Sequence, residues 1–177
     1  RKRYLNWLLE LIFLRFFHRH IFVNQSIADV YENLYSLKKD KIFVVENISF
    51  RKNISFEKKV TSGALKFVYC GVCSDGRGLK DTLELVKSKE IENFSVFGDD
   101  KAFFSKKERE LFQFQKYLEL RELRKRLFEY DVGICFIDGQ SASYTLCLPN
   151  KIFEYFGSGL FVVASNLVEF RRLQGSF

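Results

Sequence analysis

Short apolar runs alternate with amphipathic or charged stretches along the whole chain, and that alternation constrains the fold more than any other feature. HIFVN (20–24), KIFVVE (41–46), ALKFVYC (64–70), FSVF (94–97), DVGICFI (131–137) and LFVVA (160–164) read as strands. Several are apolar almost throughout, as expected of strands buried on both faces of a parallel sheet. FQFQ (112–115) alternates like a further short strand. Helical spacing falls between them, over about 27–37, 79–88, 119–129, 149–157 and from about 167. Strand–helix–strand alternation joins strands in parallel, so the expected fold class is α/β.

Residues 3–18 read as a helix that is apolar nearly all round, expected to be largely buried or to turn one face toward lipid. Arg1, Lys2 and Arg3 precede it, and Arg15, His18, Arg19 and His20 close it. Two readings stay open: a peripheral membrane contact, or a core helix whose partner lies outside the sequence. At 14 residues, the apolar run 4–17 is too short to span a bilayer, and Asn6, Glu10 and Arg15 interrupt it. Ser26 is the expected N-cap of the helix over 27–37, where Ile27, Val30, Leu34 and Leu37 keep helical spacing. Residues 47–63 are polar, end in Ser62-Gly63 and read as a linker.

The chain begins at Arg1 and contains no methionine, which suggests an internal or processed portion of a longer protein. Its net charge of +7 suits phosphate-bearing ligands, anionic membranes or nucleic acid. Because the charges are mixed and form no long basic tract, nucleic acid is disfavoured as a partner. Cys70 and Cys73 have C-x-x-C spacing, but Cys135 and Cys147 do not form a second such pair, and His18 and His20 lie far upstream. Buried, reduced thiols in a cytosolic protein are the expectation, and no metal.

In parallel α/β folds ligands bind at the carboxyl ends of strands. Two loops qualify. One is 71–78, where Gly71, Gly76 and Gly78 surround Arg77 ahead of a helix, an arrangement suited to a phosphate. It lacks the G-K-[ST] of a Walker loop and the spacing of a dinucleotide turn. The other is 138–150, which leads into LPNKIFEYFGSG (148–159). Pro149 is the only proline, favoured at a helix start, and Gly157 and Gly159 mark the stop. At about 100° per residue, Asn150, Lys151, Glu154 and Ser158 share one side and Ile152, Phe153, Tyr155 and Phe156 the other. That polar side reads either as an ordinary solvated face or as one wall of a binding site. The helix over 119–129 reads as charged and solvated.

The segment YDVGICFIDGQSASYTLCLPNKIFEYFGSGLFVVASNLVEFRRL (130–173) resembles the donor-binding region of family 4 glycosyltransferases of the GT-B fold. VYCGVCSDGRGLKDTLELV (68–86) is similar to that family's first β–loop–α unit of the C-terminal domain, and FSVFGDD to its next strand. IFVNQSIADVYENLYSLKKDKIFVVENIS (21–49) looks like the end of the N-terminal domain. The resemblance implies two Rossmann-like parallel-sheet domains, both incomplete in this sequence. Residues 1–49 would close the acceptor-side domain, 50–63 would cross between domains, and 64–177 would form the nucleotide-sugar domain. It implies transfer, with retention, of a sugar from a nucleotide-diphosphate donor to a glycan or lipid-linked acceptor in bacterial cell-surface polysaccharide synthesis. The setting would be the cytoplasm or the inner face of the cell membrane. A GT-B sugar-nucleotide epimerase and a degenerate, non-catalytic GT-B subunit remain alternatives.

By position, Glu154 matches the family's ribose-binding second glutamate, Asn150 and Lys151 would flank the nucleotide phosphates, and Arg77 matches the diphosphate-binding basic residue. Gly71, Gly76 and Gly78 belong to the same donor loop. No cofactor or metal is implied beyond the nucleotide-sugar substrate, and the catalytic groups would come from the N-terminal part outside this sequence. Three positions depart from the pattern: Leu146 where the first glutamate would stand, Val72 where an arginine is common, and Phe161 in place of a proline.

Overall fold

A computed structural model describes residues 2–47, 63–99, 103–139 and 141–174. The strand-and-helix alternation folds into two parallel sheets. The first unit holds helix α1 (Lys2–Phe16), strand β1 (His20–Phe22), helix α2 (Gln25–Tyr35) and strand β2 (Ile42–Val44), and β1 pairs with β2 in parallel. The second holds β3 (Lys66–Cys70), α3 (Leu79–Lys87), β4 (Asn93–Phe97), α4 (Lys106–Arg109), β5 (Gln113–Gln115), α5 (Leu120–Leu127), β6 (Val132–Cys135), α6 (Ala142–Thr145), α7 (Asn150–Gly157), β7 (Phe161–Ala164) and α8 (Val168–Gln174). The expected linker over 50–63 lies, apart from Gly63, outside the described residues.

The second sheet runs β5-β4-β3-β6-β7, and every strand pair in it is parallel. The chain moves outward from β3 to β5 and then returns to place β6 on the other side of β3. That reversal makes the β3/β6 boundary a topological switch point, where the loops after both strands open a crevice. One core packs α3 on the sheet through Leu79, Leu83 and Val86 against Tyr69, Val96 and Ile134. The opposite core packs α5, α7 and α8 through Leu123, Leu127, Ile152, Tyr155 and Phe170 against Val68, Cys70 and Cys135. Both faces of this sheet are therefore covered, which accounts for its near-continuous apolar strands. Gly133 allows the close approach of α7: a Cβ there would lie 2.4 Å from the Tyr155 ring. That ring is fixed by its hydroxyl, which accepts from the Cys70 N–H at 2.9 Å.

Three expectations are corrected in the first unit. Helix α1 is not largely buried: Leu5, Trp7, Leu8, Leu9, Ile12, Phe13 and Phe16 are all exposed, Phe16 at 75%. Its inward hold is polar, with Glu10 accepting from Tyr31 at 2.5 Å and Tyr35 at 2.7 Å. The N-cap of α2 is Asn24 rather than Ser26; its Oδ1 accepts from the Ile27 N–H at 2.9 Å. Both residue types cap well, so local chemistry does not decide between them. The second strand is shorter than expected at both ends: Lys39–Lys41 form a 3₁₀ turn before it, and it stops at Val44.

The two units meet around the start of α2. Asn24 is fully buried and donates from Nδ2 to the Leu146 carbonyl at 2.7 Å. Glu169 of α8, 2% exposed, accepts from the Ser26 N–H at 2.8 Å. Arg172 pairs with both Glu169 (3.1 Å) and Asp29 (3.0 Å). A carboxylate at the amino end of α2 also meets the positive end of the helix dipole.

Candidate functional site

The site residues named from sequence gather at the switch point, on loop 71–78 after β3 and on the chain leading from β6 into α7. Gly71 leaves β3 at φ 135°, and its N–H donates to the Phe97 carbonyl at 2.9 Å. Gly76 (φ 79°) and Gly78 (φ 63°) hold the left-handed region that favours glycine. They also let the two loops touch. A Cβ on Gly78 would fall 2.1 Å from Phe136 Cβ, and one on Gly76 would fall 2.3 Å from the Tyr144 ring. The Asp138 N–H donates to the Gly76 carbonyl at 3.2 Å, closing the contact. These glycines therefore serve loop packing first, and any ligand meets a loop pair already joined.

Lys151 departs most from a solvated helix face. It is 8% exposed, and its Nζ makes no hydrogen bond among the described residues. The ammonium lies 3.7 Å from the centroid of the Tyr69 ring and 3.7 Å from where a Gly71 Cβ would stand. It therefore projects from the first turn of α7 toward the end of β3 and the start of the 71–78 loop. Burial lowers its pKa from the ordinary lysine value, and the nearby Arg77 charge pushes the same way, while the Cys135 and Cys70 thiols act oppositely. The Tyr69 ring face offsets part of this cost.

Arg77 stacks against Tyr144, its Cζ 5.7 Å from the ring centroid, and its Nε is buried without a hydrogen bond. Asp138 Oδ1 is likewise buried and unbonded. Two cations with unmet donors thus lie beside the 71–78 loop, Lys151 next to Gly71 and Tyr69 and Arg77 against Tyr144. Buried polar groups are normally hydrogen-bonded, and exceptions concentrate at functional sites. An anion with several oxygens would answer both donors at once.

Glu154, one turn further along α7, is held by a partner the sequence reading did not name. Arg124 of α5 binds it with both arms, Nε to Oε2 at 2.6 Å and Nη2 to Oε1 at 2.8 Å. The expectation that the 119–129 helix keeps its charges in solvent is therefore corrected for Arg124. It holds for Lys125–Glu122 and Arg126–Glu129, which are exposed i,i+3 pairs. The Glu154 carboxylate is only 12% exposed, and the pairing raises the Arg124 pKa. A carboxylate has about four acceptor sites, so two oxygens that each accept from Arg124 retain capacity for a vicinal diol. Asn150 is exposed at the helix start. Ser158 and Lys151, assigned to the polar side, are buried, whereas Phe156 on the apolar side is exposed. The solvated-face reading of this helix thus fails where it matters, at Lys151.

Cys70, Cys73 and Cys135 are buried free thiols and Cys147 is half-buried; burial pushes the Cys135 thiol up to about 12. No group of three His, Cys, Asp or Glu side chains that could hold a metal occurs among the described residues. None of the described helices is long and apolar enough to cross a membrane. A separate groove of about 820 Å³ runs between α7, β7 and α8. Its arginine, Arg171, is tied to Asn166 Oδ1 at 2.9 Å, so it offers no unmet cation of the Lys151 kind. No known protein family matches the chain, and neither does any curated protein.

Proposed function

We propose that the crevice at the β3/β6 switch point binds the diphosphate of a nucleotide-sugar, and that the chain is the donor-binding part of a GT-B-type glycosyltransferase. The observation that carries the reading is the buried, unbonded ammonium of Lys151, set beside Gly71 and near Arg77. An ammonium held without a hydrogen-bonding partner in a low-dielectric crevice is destabilising for folding alone but suits a dianion. Lys151 and Arg77 would neutralise the diphosphate, and more strongly as it leaves with the glycosidic electrons. Glu154, oriented by Arg124, would accept from the ribose hydroxyls. The reaction is sugar transfer, with retention, to a glycan or lipid-linked acceptor in bacterial cell-surface polysaccharide synthesis. It would run in the cytoplasm or at the inner face of the membrane, with no metal.

One observation favours a second reading, a GT-B-type subunit that no longer binds donor. Both Glu154 oxygens already hold Arg124, and Leu146 stands where the family pattern has a second carboxylate. Titration of Glu154→Gln and of the unaltered chain with nucleotide-diphosphate sugars separates the two. A donor site loses affinity about tenfold or more when the charged acceptor for the diol is removed. A subunit that has lost the site shows no binding in either protein.

A further inference from the structure

We infer that Asn24 is a positioning residue for the crevice: it joins the first unit to the loop that forms one of the crevice walls, and so sets that loop's place. The inference rests on the donor-site reading for its ligand, but not for its geometry. Asn24 sits between β1 and α2 with no exposure, and uses both ends of its amide. Its Oδ1 caps α2 at Ile27, and its Nδ2 reaches 122 residues along the chain to the Leu146 carbonyl at 2.7 Å. That carbonyl follows α6, whose Tyr144 and preceding Asp138 face the 71–78 loop.

The wall needs such a hold. Helix α6 has four residues, far too few to be stable alone. Its other fastenings are local, or run to the 71–78 loop rather than to the body of the fold: Thr145 Oγ1 to the carbonyls of Gly139 (3.1 Å) and Ser141 (3.0 Å), the Tyr144 hydroxyl to the Asp75 carbonyl at 3.5 Å, the Arg77 stack on the Tyr144 ring, and the Asp138 N–H to the Gly76 carbonyl. The Asn24 bond is shorter and part-buried, so losing it would leave the Leu146 carbonyl short of a partner away from full solvent. Asn24 is itself locked by the helix it caps, and the Glu169 contact with the Ser26 N–H fixes that helix on α8. Position 146 is where the resemblance calls for a glutamate side chain. Here the backbone carbonyl of Leu146 has a structural task instead, so the residue matters without its side chain touching ligand.

The test uses Asn24→Asp and Asn24→Ser in the full 177-residue chain. Both keep an acceptor suited to an N-cap, and both lose the amide donor. Hydrogen exchange is read at the amides of 144–147, which bond within the α6 turn, and at those of α2. The expected result is exchange about fivefold to tenfold faster at 144–147, with α2 protection kept in at least the serine variant. Affinity for uridine diphosphate or inorganic pyrophosphate should fall about threefold to tenfold in parallel. Unchanged exchange at 144–147 overturns the inference, as does faster exchange with unchanged affinity. Loss of α2 protection in both variants also overturns it, because the residue would then be only a cap. Faster exchange at 144–147 in a chain that binds neither probe, altered or not, keeps the tether and removes the donor-site reading.

Discussion

The two units of this chain use the same strand–helix–strand grammar and reach opposite states. In the five-stranded unit both sheet faces are covered, and Val68, Tyr69, Val96 and Leu127 are essentially inaccessible. In the two-stranded unit Ile21 and Phe43, neighbours across the ladder, both stay exposed, as does most of α1. One unit is held by packing. The other has a small apolar contact, with Phe22, Tyr31 and Tyr35 ring to ring and Ala28 buried, and leans on polar contacts: Glu10 to two tyrosines, Asn24 to Leu146, and Glu169 with Arg172 to the start of α2. The difference teaches that apolar pattern alone forms elements, whereas burial requires a second layer to receive them.

The comparison breaks most sharply at single positions. Gly133→Ala pushes a Cβ into a ring that cannot move aside, so it should cost about 3 kcal/mol or more of unfolding free energy in denaturant titration. Phe16→Ser, at a 75% exposed site, should change it by less than about 0.5 kcal/mol. A Phe16→Ser cost approaching that of Gly133→Ala would show that α1 is covered in solution.

Lys151→Met should do the reverse of most buried substitutions and stabilise the unliganded chain by about 1–2 kcal/mol, because it removes a buried, unbonded charge. The sign of the pH effect follows from the lowered pKa. Between that lowered value and the ordinary 10.5, the unfolded chain holds a proton that the folded chain lacks, so stability rises with pH. Below the lowered value the full cost applies. The difference in stability between the methionine variant and the unaltered chain should therefore shrink as pH climbs toward 10.5. A constant difference would contradict the depressed pKa.

The smallest effect lies in the first unit. Hydrogen bonding to Glu10 and then desolvation hold Tyr31 neutral up to about 12, and desolvation followed by the Glu10 hydrogen bond does the same for Tyr35. Both would ionise near 10 when released, so the α1–α2 clamp contributes below that value and is lost as pH rises to about 12. Trp7 is the only tryptophan and lies on α1, so its emission should red-shift in that range before the second unit unfolds. Emission that changes only with global unfolding would mean that the clamp is not a separate weak point.

The parallel α/β class was legible because near-continuous apolar strands leave few other arrangements, and the switch point follows from where β6 returns beside β3. The site loops were legible as strand-end loops. What the sequence could not show were contacts distant along the chain. Arg124 lies 30 residues from Glu154, and Asn24 lies 122 from Leu146. A signal did exist for Arg124, which flanks the Leu123/Leu127 stripe that faces the core. None existed for Asn24, since Ser26 caps equally well on local grounds. The depth of Lys151 was hidden as well, because helical spacing separates polar from apolar sides and says nothing of what lies above the polar one.

The most direct measurement compares pyrophosphate and nucleoside diphosphates with the matching nucleosides, by calorimetric titration of the unaltered chain and of Lys151→Met. If Lys151 and Arg77 form a diphosphate site, the diphosphates bind at least about tenfold more tightly than the nucleosides. That advantage should collapse in the methionine variant while the fold stays intact. Equal binding of diphosphate and nucleoside, or a diphosphate preference that survives Lys151→Met, would contradict the account.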